Sequence, residues 1–176
     1  MPTSSSTRWT SSPPPEPGAD DHSRGDGPLV VEYADFECPF CAKAHLALEA
    51  VAVRRVFRHF PMVSKHPRAR RLAHAAEAAA LQGRFWDMHD ALYADQGRLE
   101  DPHLWLRAEQ LGLDVDRFDA DRRSEQVLAR VKRDFDSGIR AGVATTPTLF
   151  VAGRPHAGVP SDDLLATMVA NVSKRS

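Results

Sequence analysis

Two cysteines, Cys38 and Cys41, are the only thiols of this chain, and Pro39 and Phe40 separate them. On a helix, this spacing places the two sulfur atoms about one turn apart. Such a pair can form and open a disulfide with little movement of the backbone, which is what thiol–disulfide exchange requires. We therefore predict that Cys38 is the nucleophile and that Cys41 is the resolving thiol, which closes the disulfide.

The flanking segments predict that Cys38 opens a helix. Residues 29–33 are apolar and β-branched, as in a buried strand, whereas residues 42–50 are rich in Ala and Leu and favour a helix. The first turn of a helix has unpaired N–H groups and the positive end of the helix dipole, and both stabilise a thiolate. Pro39 suits this turn because its missing N–H is not needed there. A cysteine so placed has a pKa of roughly 3.5 to 7.5, compared with about 8.5 for a free cysteine.

Two other interpretations of the cysteine pair stay open at this point. A Cys-x-x-Cys motif is half of many structural zinc sites, but the chain has no second such motif and no pair of histidines at zinc-finger spacing. A purely structural disulfide would close a very short loop and would constrain the unfolded chain little. Redox chemistry is therefore the favoured interpretation, and we expect no metal and no organic cofactor.

Composition restricts the classes of partner. The 176 residues are 42% hydrophobic and 27% charged, with a formal net charge of −1, which is typical of one globular domain. The basic residues are dispersed among acidic ones, so the sequence predicts neither a nucleic-acid surface nor a membrane span. We expect a monomer whose partners are protein thiols or disulfides and a further protein that recycles the pair.

The first 27 residues are rich in Ser, Pro, Gly and Asp, and they are predicted to be a disordered tail ahead of a domain over residues 28–176. They lack the basic, apolar and small-residue regions of a secretory signal. The expected location is therefore the cytoplasm, where thiols are mostly kept reduced.

The rest of the chain predicts two pieces of sheet separated by helices. Residues 53–60 read as a strand, so the first segments form a parallel βαβ unit. Helical spacing then predicts an all-helical subdomain inserted at about residues 62–141, with helices over 68–82, 85–93, 102–111 and 124–141. A strand at 149–151, a turn, an edge strand and a helix from Ser161 to about residue 172 complete the domain. Only about eleven residues separate Cys41 from the second strand, so the first helix or the join after it must be short.

Four motifs together resemble the DsbA-like thiol–disulfide oxidoreductases of the thioredoxin superfamily. They lie at residues 33–41, 58–61, 78–86 and 142–153, and the resemblance spans nearly all of residues 28–172. It implies an α/β thioredoxin-like fold, βαβ…ββα, with a helical subdomain inserted between its two halves.

The same resemblance implies further site residues. Pro147 would have a cis peptide bond and lie against the cysteine pair, and the Thr146 backbone would pair with an extended substrate segment. Pro39 and Phe40 would also contact substrate. Glu32 would be a buried acid that moves protons to and from the cysteines, although a carboxylate at a strand edge is an equally open interpretation.

Other polar residues near the motif have weaker assignments. We expect Asp35 and Glu37 to face solvent, where their charge would oppose a thiolate at Cys38. His45 follows Cys41 by one helical turn and could approach the pair, but a partly buried surface histidine is the commoner case. The other histidines are scattered without a metal-ligand pattern.

The sequence thus predicts a thiol–disulfide oxidoreductase that acts on protein substrates through a mixed disulfide at Cys38. Two alternatives remain: a non-catalytic thioredoxin-like module that binds peptides, and a glutathione-linked reductase, because Pro-Phe resembles the Pro-Tyr pair of glutaredoxins. The direction of exchange depends on the reduction potential and the partner, and the sequence does not set it.

Overall fold

Five strands form one mixed sheet in the order β1-β3-β2-β4-β5, with β2 in the centre. In the computed structural model, which describes residues 12–170, the strands are β1 His22–Arg24, β2 Leu29–Ala34, β3 Arg54–His59, β4 Thr148–Val151 and β5 Arg154–Ala157. The helices are α1 Pro39–Glu49, α2 Ala69–Ala80, α3 Phe85–Ala94, α4 Asp101–Gln110, α5 Val115–Asp121, α6 Glu125–Arg140 and α7 Asp162–Ala170.

Strands β2 and β3 are parallel and α1 connects them, whereas β4 and β5 follow as an antiparallel pair with α7 after them. Helices α2 to α6 occupy the chain between β3 and β4. This arrangement confirms the predicted α/β fold with a helical insertion. Helix α1 ends at Glu49 and β3 begins at Arg54, so the join between them is as tight as the sequence requires.

Successive side chains of β2 point to opposite faces of the sheet, so they belong to two different cores. Val31 and Tyr33 pack with Phe60 and Phe135 on the face covered by α6. Val30 and its neighbours on the opposite face pack against α1 and α7. A third core, which includes both cysteines, lies among the inserted helices. None of the helices described within residues 12–170 is both long and apolar enough to cross a membrane.

Strand β1 is a difference from the sequence prediction. Residues 22–24 were expected to belong to a disordered tail, but they pair antiparallel with the edge of β3. Polar contacts hold them there, including an ion pair of 2.7 Å between Arg24 and Asp90. The prediction is wrong for these residues because a strand fixed by main-chain and polar contacts has no apolar pattern. Residues 1–11 lie outside the described residues, as do the last two residues of the predicted C-terminal helix.

The close packing of α6 on the sheet gives a stability prediction at Gly138. A Cβ atom there would lie 2.6 Å from Cδ2 of Phe60 and 2.9 Å from Cδ1 of Tyr33. We expect Gly138→Ala to destabilise the fold by about 1–3 kcal/mol through overpacking, although alanine favours a helix by about 1 kcal/mol. Urea denaturation measures the change in the free energy of unfolding. Ile139→Ala is the control, because Ile139 is 54% exposed. A Gly138→Ala protein as stable as the parent would contradict this packing.

Candidate functional site

The two cysteines lie where the central strand passes into α1. Cys38 is the N-cap residue of α1, Pro39 occupies its first turn, and Cys41 follows one turn later. Both cysteines are free thiols, and each is only 2% exposed. The backbone N–H of Cys41 donates to the Cys38 carbonyl at 3.1 Å, which closes the first turn. The predicted position of Cys38 at the start of a helix is confirmed.

The two thiols have opposite electrostatic environments. The pKa of Cys38 is lowered to about 5, chiefly because the Cys41 S–H donates a hydrogen bond to it. Burial opposes this shift, while the N–H groups of Cys41 and Phe40 and the Thr146 side chain contribute to it. Burial raises the pKa of Cys41 well above its usual value, and the neighbouring Cys38 adds to that rise. One sulfur is therefore ready to attack as a thiolate, and the other stays protonated.

The loop before β4 closes the site from the second half of the sheet. The Thr146–Pro147 peptide bond is cis, as the sequence predicts. The Cys38 sulfur lies 3.5 Å from the Thr146 carbonyl oxygen, to which it donates only in its protonated form. The buried Thr146 hydroxyl adds to the lowering of the Cys38 pKa and reduces the rise of the Cys41 pKa. The structure thus places the Thr146 carbonyl beside Cys38, next to the cis bond of Pro147, and the pairing of the Thr146 backbone with substrate stays a prediction.

Pro39 and Phe40, which were assigned to substrate contact, form the outer side of the site. Pro39 is exposed, and Phe40 is 55% exposed. A large apolar side chain this open beside a buried thiol is available for contact with another molecule. The assignment of both residues to substrate contact stays a prediction.

The expectation that Asp35 and Glu37 face solvent is wrong. The buried Asp35 carboxylate accepts hydrogen bonds from the Met62 N–H at 3.0 Å and from Nδ1 of His66 at 2.8 Å. Glu37 accepts from the N–H of Arg68 at 2.7 Å and from its Nε at 2.8 Å. Donors from residues 62–68 therefore pair with both carboxylates, which weakens their opposition to a nearby thiolate. Because these contacts join residues that are far apart in the sequence, no local pattern predicts them.

Gln96 is a site residue that the sequence analysis missed. Its side-chain Nε2 donates to the carbonyls of Phe36 at 2.8 Å and of Cys38 at 3.0 Å. From the preceding helix, the Tyr93 hydroxyl donates to the Asp35 carbonyl at 3.4 Å. Gln96 and Tyr93 therefore tie the loop that carries the nucleophile to the inserted helices. No local sequence motif predicts that the Gln96 amide binds these carbonyls.

Glu32 lies on the central strand, so the interpretation as a strand-edge carboxylate is wrong. It is buried, and its Oε1 accepts a hydrogen bond from Arg55 NH2 at 2.8 Å. Arg55 is also buried, and it contacts Glu49 at 2.7 Å. The acid is thus buried as expected, but it is part of an ion-pair network. Its role in proton transfer stays a prediction.

His45 faces this network. Its Nδ1 lies 3.2 Å from Arg55 NH1, and its ring stacks on Tyr93. Burial lowers the pKa of His45, and the charge of Arg55 lowers it further. Within the described part of the chain, His45 makes no hydrogen bond to either sulfur. We therefore give it no redox role.

The histidines that looked scattered in the sequence form two groups with carboxylates. His22 and His59 meet Glu77, and His45 and His89 meet Asp90; in each group the possible ligand atoms lie within 4.8 Å of one another. Among the described residues, neither cysteine belongs to such a group of three.

Comparisons with known proteins agree with this geometry. A family model described as thioredoxin matches residues 26–170. Curated relatives include the Na(+)/H(+) antiporter NhaA 3 of Salinispora tropica, which is 44% identical over 157 residues, covering 85% of this chain and 24% of the relative. NhaA 1 of Mycolicibacterium gilvum is 45% identical over 149 residues, covering 78% of this chain and 24% of the relative. The chain thus spans about a quarter of the length of these antiporters.

Solved structures are similar over nearly the whole chain. A thioredoxin-like oxidoreductase from Silicibacter pomeroyi has a TM-score of 0.79 at 24% identity and covers 90% of this chain and 95% of its own. The thiol-disulfide exchange protein alpha-DsbA2 of Wolbachia pipientis has a TM-score of 0.75 at 17% identity, with 88% of each chain covered. DsbA2 of Pseudomonas aeruginosa has a TM-score of 0.69 at 25% identity, covering 91% of this chain and 98% of its own. These likenesses show a DsbA-like thioredoxin fold.

The lowered pKa of Cys38 predicts the pH dependence of its reactivity. Because the thiolate is the form that reacts, alkylation of Cys38 by iodoacetamide should rise with pH through a midpoint of about 5 and then level off. Below that pH the sulfur is protonated and the rate falls. Peptide mass spectrometry follows each cysteine separately. Cys41→Ala removes the main hydrogen-bond donor to Cys38 and should therefore move the midpoint to higher pH. A midpoint of about 8.5 in the parent protein, as for a free thiol, would contradict this geometry.

The contacts of Gln96 predict a second effect on the same thiol. Gln96→Met keeps a side chain of similar size but removes both donated hydrogen bonds, so the active-site loop should loosen and the helix N–H groups should align less well with the sulfur. We expect the pKa of Cys38 to rise by up to about one unit, because one pKa unit corresponds to about the free energy of one hydrogen bond. Thiolate absorbance against pH measures it.

Gln82→Met is the matched control for that variant. Gln82 also bonds backbone groups through its side-chain amide, but its partner is Asp114, in the loop before α5. The control should leave the thiolate titration unchanged. Equal titrations of the Gln96→Met and parent proteins would show that Gln96 does not position the thiol.

Proposed function

The chain belongs to the thioredoxin family, and from this premise we propose that it catalyses thiol–disulfide exchange with protein substrates. Cys38 is the nucleophile and Cys41 the resolving thiol in this proposal. The observation that carries it is the buried Cys38 sulfur at the start of α1, which has a pKa lowered to about 5 and lies 3.5 Å from the carbonyl before a cis proline.

The proposed reaction has two steps. The Cys38 thiolate attacks one sulfur of a substrate disulfide, the S–S bond breaks, and the other substrate sulfur leaves and takes up a proton. Cys41 then loses its proton and attacks the Cys38 sulfur, which releases the second substrate thiol and closes the Cys38–Cys41 disulfide. The substrate gains the two electrons that the cysteine pair loses. In the reverse direction the oxidised pair donates its disulfide.

The second step needs a proton acceptor for Cys41. The charge of Cys38 raises the pKa of Cys41, and that charge disappears when Cys38 is part of a mixed disulfide. Attack by Cys41 therefore becomes easier only after a substrate is bound. We propose that Glu32, which is ion-paired with Arg55, helps to move the proton away from Cys41, as the family resemblance implies. Glu32→Gln should slow release of substrate while leaving the first attack on it intact.

The similarity to antiporters favours a membrane-linked setting for this exchange. Their printed names describe Na(+)/H(+) antiporters, and this chain matches about a quarter of their length. We propose that the domain acts on thiols of proteins that lie at a membrane. The cytoplasmic location expected from the sequence is a separate proposal, tested by cell fractionation.

Variants of the two cysteines test the proposed function. Cys38→Ser should abolish turnover of a protein disulfide substrate. Cys41→Ser should stop at the first step and accumulate mixed disulfides, because its Cys38 has no resolving thiol. Non-reducing gels and mass spectrometry detect these adducts, and the double variant is the control that should form none. Undiminished exchange by Cys38→Ser would sink the proposal, and peptide binding without exchange by the parent protein would favour the non-catalytic alternative.

A further inference from the structure

Three side chains from three elements, β1, β3 and α2, meet at one point of the domain. Nε2 of His22 on β1 lies 2.7 Å from Oε1 of Glu77, and Nε2 of His59 at the end of β3 lies 2.6 Å from the same oxygen. The three possible ligand atoms all lie within 4.8 Å of one another. We call these residues the His–Glu–His cluster. Two imidazoles and one carboxylate are a common set of protein ligands for zinc.

The framework around the cluster holds both imidazoles in place. His22 lies opposite Phe57 in the β1–β3 pair, and His59 follows Phe57 by two residues, so both histidines are on the same face. The His22 ring stacks on Phe85 with a centroid distance of 3.5 Å, and the Phe85 and Phe57 rings meet His59 edge to face. The orientation of the ligands is therefore already fixed, which reduces the entropy lost on binding an ion.

Burial and charge also suit a cation at this position. The side chains of His59 and Glu77 are 1% and 7% exposed, whereas that of His22 is 17% exposed. The His22 side of the cluster is therefore the one that solvent reaches. One guanidinium lies close to the cluster, with Arg130 Nε 4.0 Å from Glu77 Oε1. Asp134 at 3.4 Å and Asp21 at 3.8 Å offset the charge of Arg130.

The second group of histidines is less suitable. Asp90 of that group already accepts from Arg24 at 2.7 Å, and Nδ1 of His45 lies 3.2 Å from Arg55. The His45 Nε2 to Asp90 distance is 3.9 Å. Two guanidinium groups in direct contact with its members oppose a bound cation. This group therefore provides a matched control for the His–Glu–His cluster.

We propose that the His–Glu–His cluster is a binding site for a divalent metal ion of the zinc class, separate from the cysteine pair. His22 and His59 supply imidazole nitrogens, Glu77 supplies a carboxylate oxygen, and a water or an outside ligand completes the coordination. Since His22 belongs to β1, a bound ion ties this polar edge strand to the body of the domain. The proposal does not depend on the proposed exchange reaction.

Metal titration of the full chain tests the proposal. The Cys38→Ser/Cys41→Ser protein is used so that thiols cannot bind the metal, and it is first treated with a chelator. Addition of Co²⁺ should give a visible ligand-field spectrum that saturates at one ion per chain, and Zn²⁺ should displace it. The ion should also raise the melting temperature, because it binds only the folded state.

Variants then locate the bound ion. Glu77→Gln and His22→Ala should each weaken Co²⁺ binding at least about tenfold, whereas Asp90→Asn should leave it unchanged. Circular dichroism checks that each variant is folded, and the partly exposed His22 provides a ligand whose removal leaves the core intact. The absence of a saturable spectrum in the parent, or equal binding by parent and His22→Ala proteins, would show that the cluster is only a hydrogen-bonded tie.

Discussion

A negatively charged sulfur held in a buried position is the constraint on which the rest of this structure depends. Cys38 is only 2% exposed, and burial alone opposes its ionisation. The S–H of Cys41, the N–H groups at the start of α1 and the Thr146 side chain together outweigh that opposition. Because hydrogen bonds and dipoles act only at short range and in defined directions, these donors must be held accurately. Fixing them is the task of the surrounding fold.

The inserted helices take a direct part in that task. The core that contains both cysteines consists mainly of side chains from the insertion. Gln96 and Tyr93 bind carbonyls of the loop that precedes α1, and donors from residues 62–68 hold the loop's two carboxylates. The strand after the insertion is preceded by Thr146 and Pro147, which close the site. The insertion therefore supports the nucleophile as well as covering one face of the sheet.

Features that neighbouring residues determine were predictable from the sequence, and features that distant contacts determine were not. Residues 29–50 alone indicated that a helix begins at Cys38, whereas the cis bond at Pro147 was implied by the family resemblance. Strand β1 was missed because polar contacts hold it, and the seven-residue α5 was missed because Phe118 is its one buried residue, so it has no apolar period. The contacts of Gln96 join residues about sixty positions apart. Such contacts leave no periodicity for sequence analysis to detect.

The reduction potential of the Cys38–Cys41 pair, titrated in glutathione buffers and read by alkylation mass shift, tests the central claim most directly. Stabilisation of the Cys38 thiolate favours the reduced form and therefore raises the potential. A thiol pKa of about 7 accompanies a potential of about −270 mV in thioredoxin, and a pKa of about 3.5 accompanies about −120 mV in DsbA. The structure predicts a reversible two-electron couple between these values. A potential at or below about −270 mV, or the absence of a reversible titration, would contradict it.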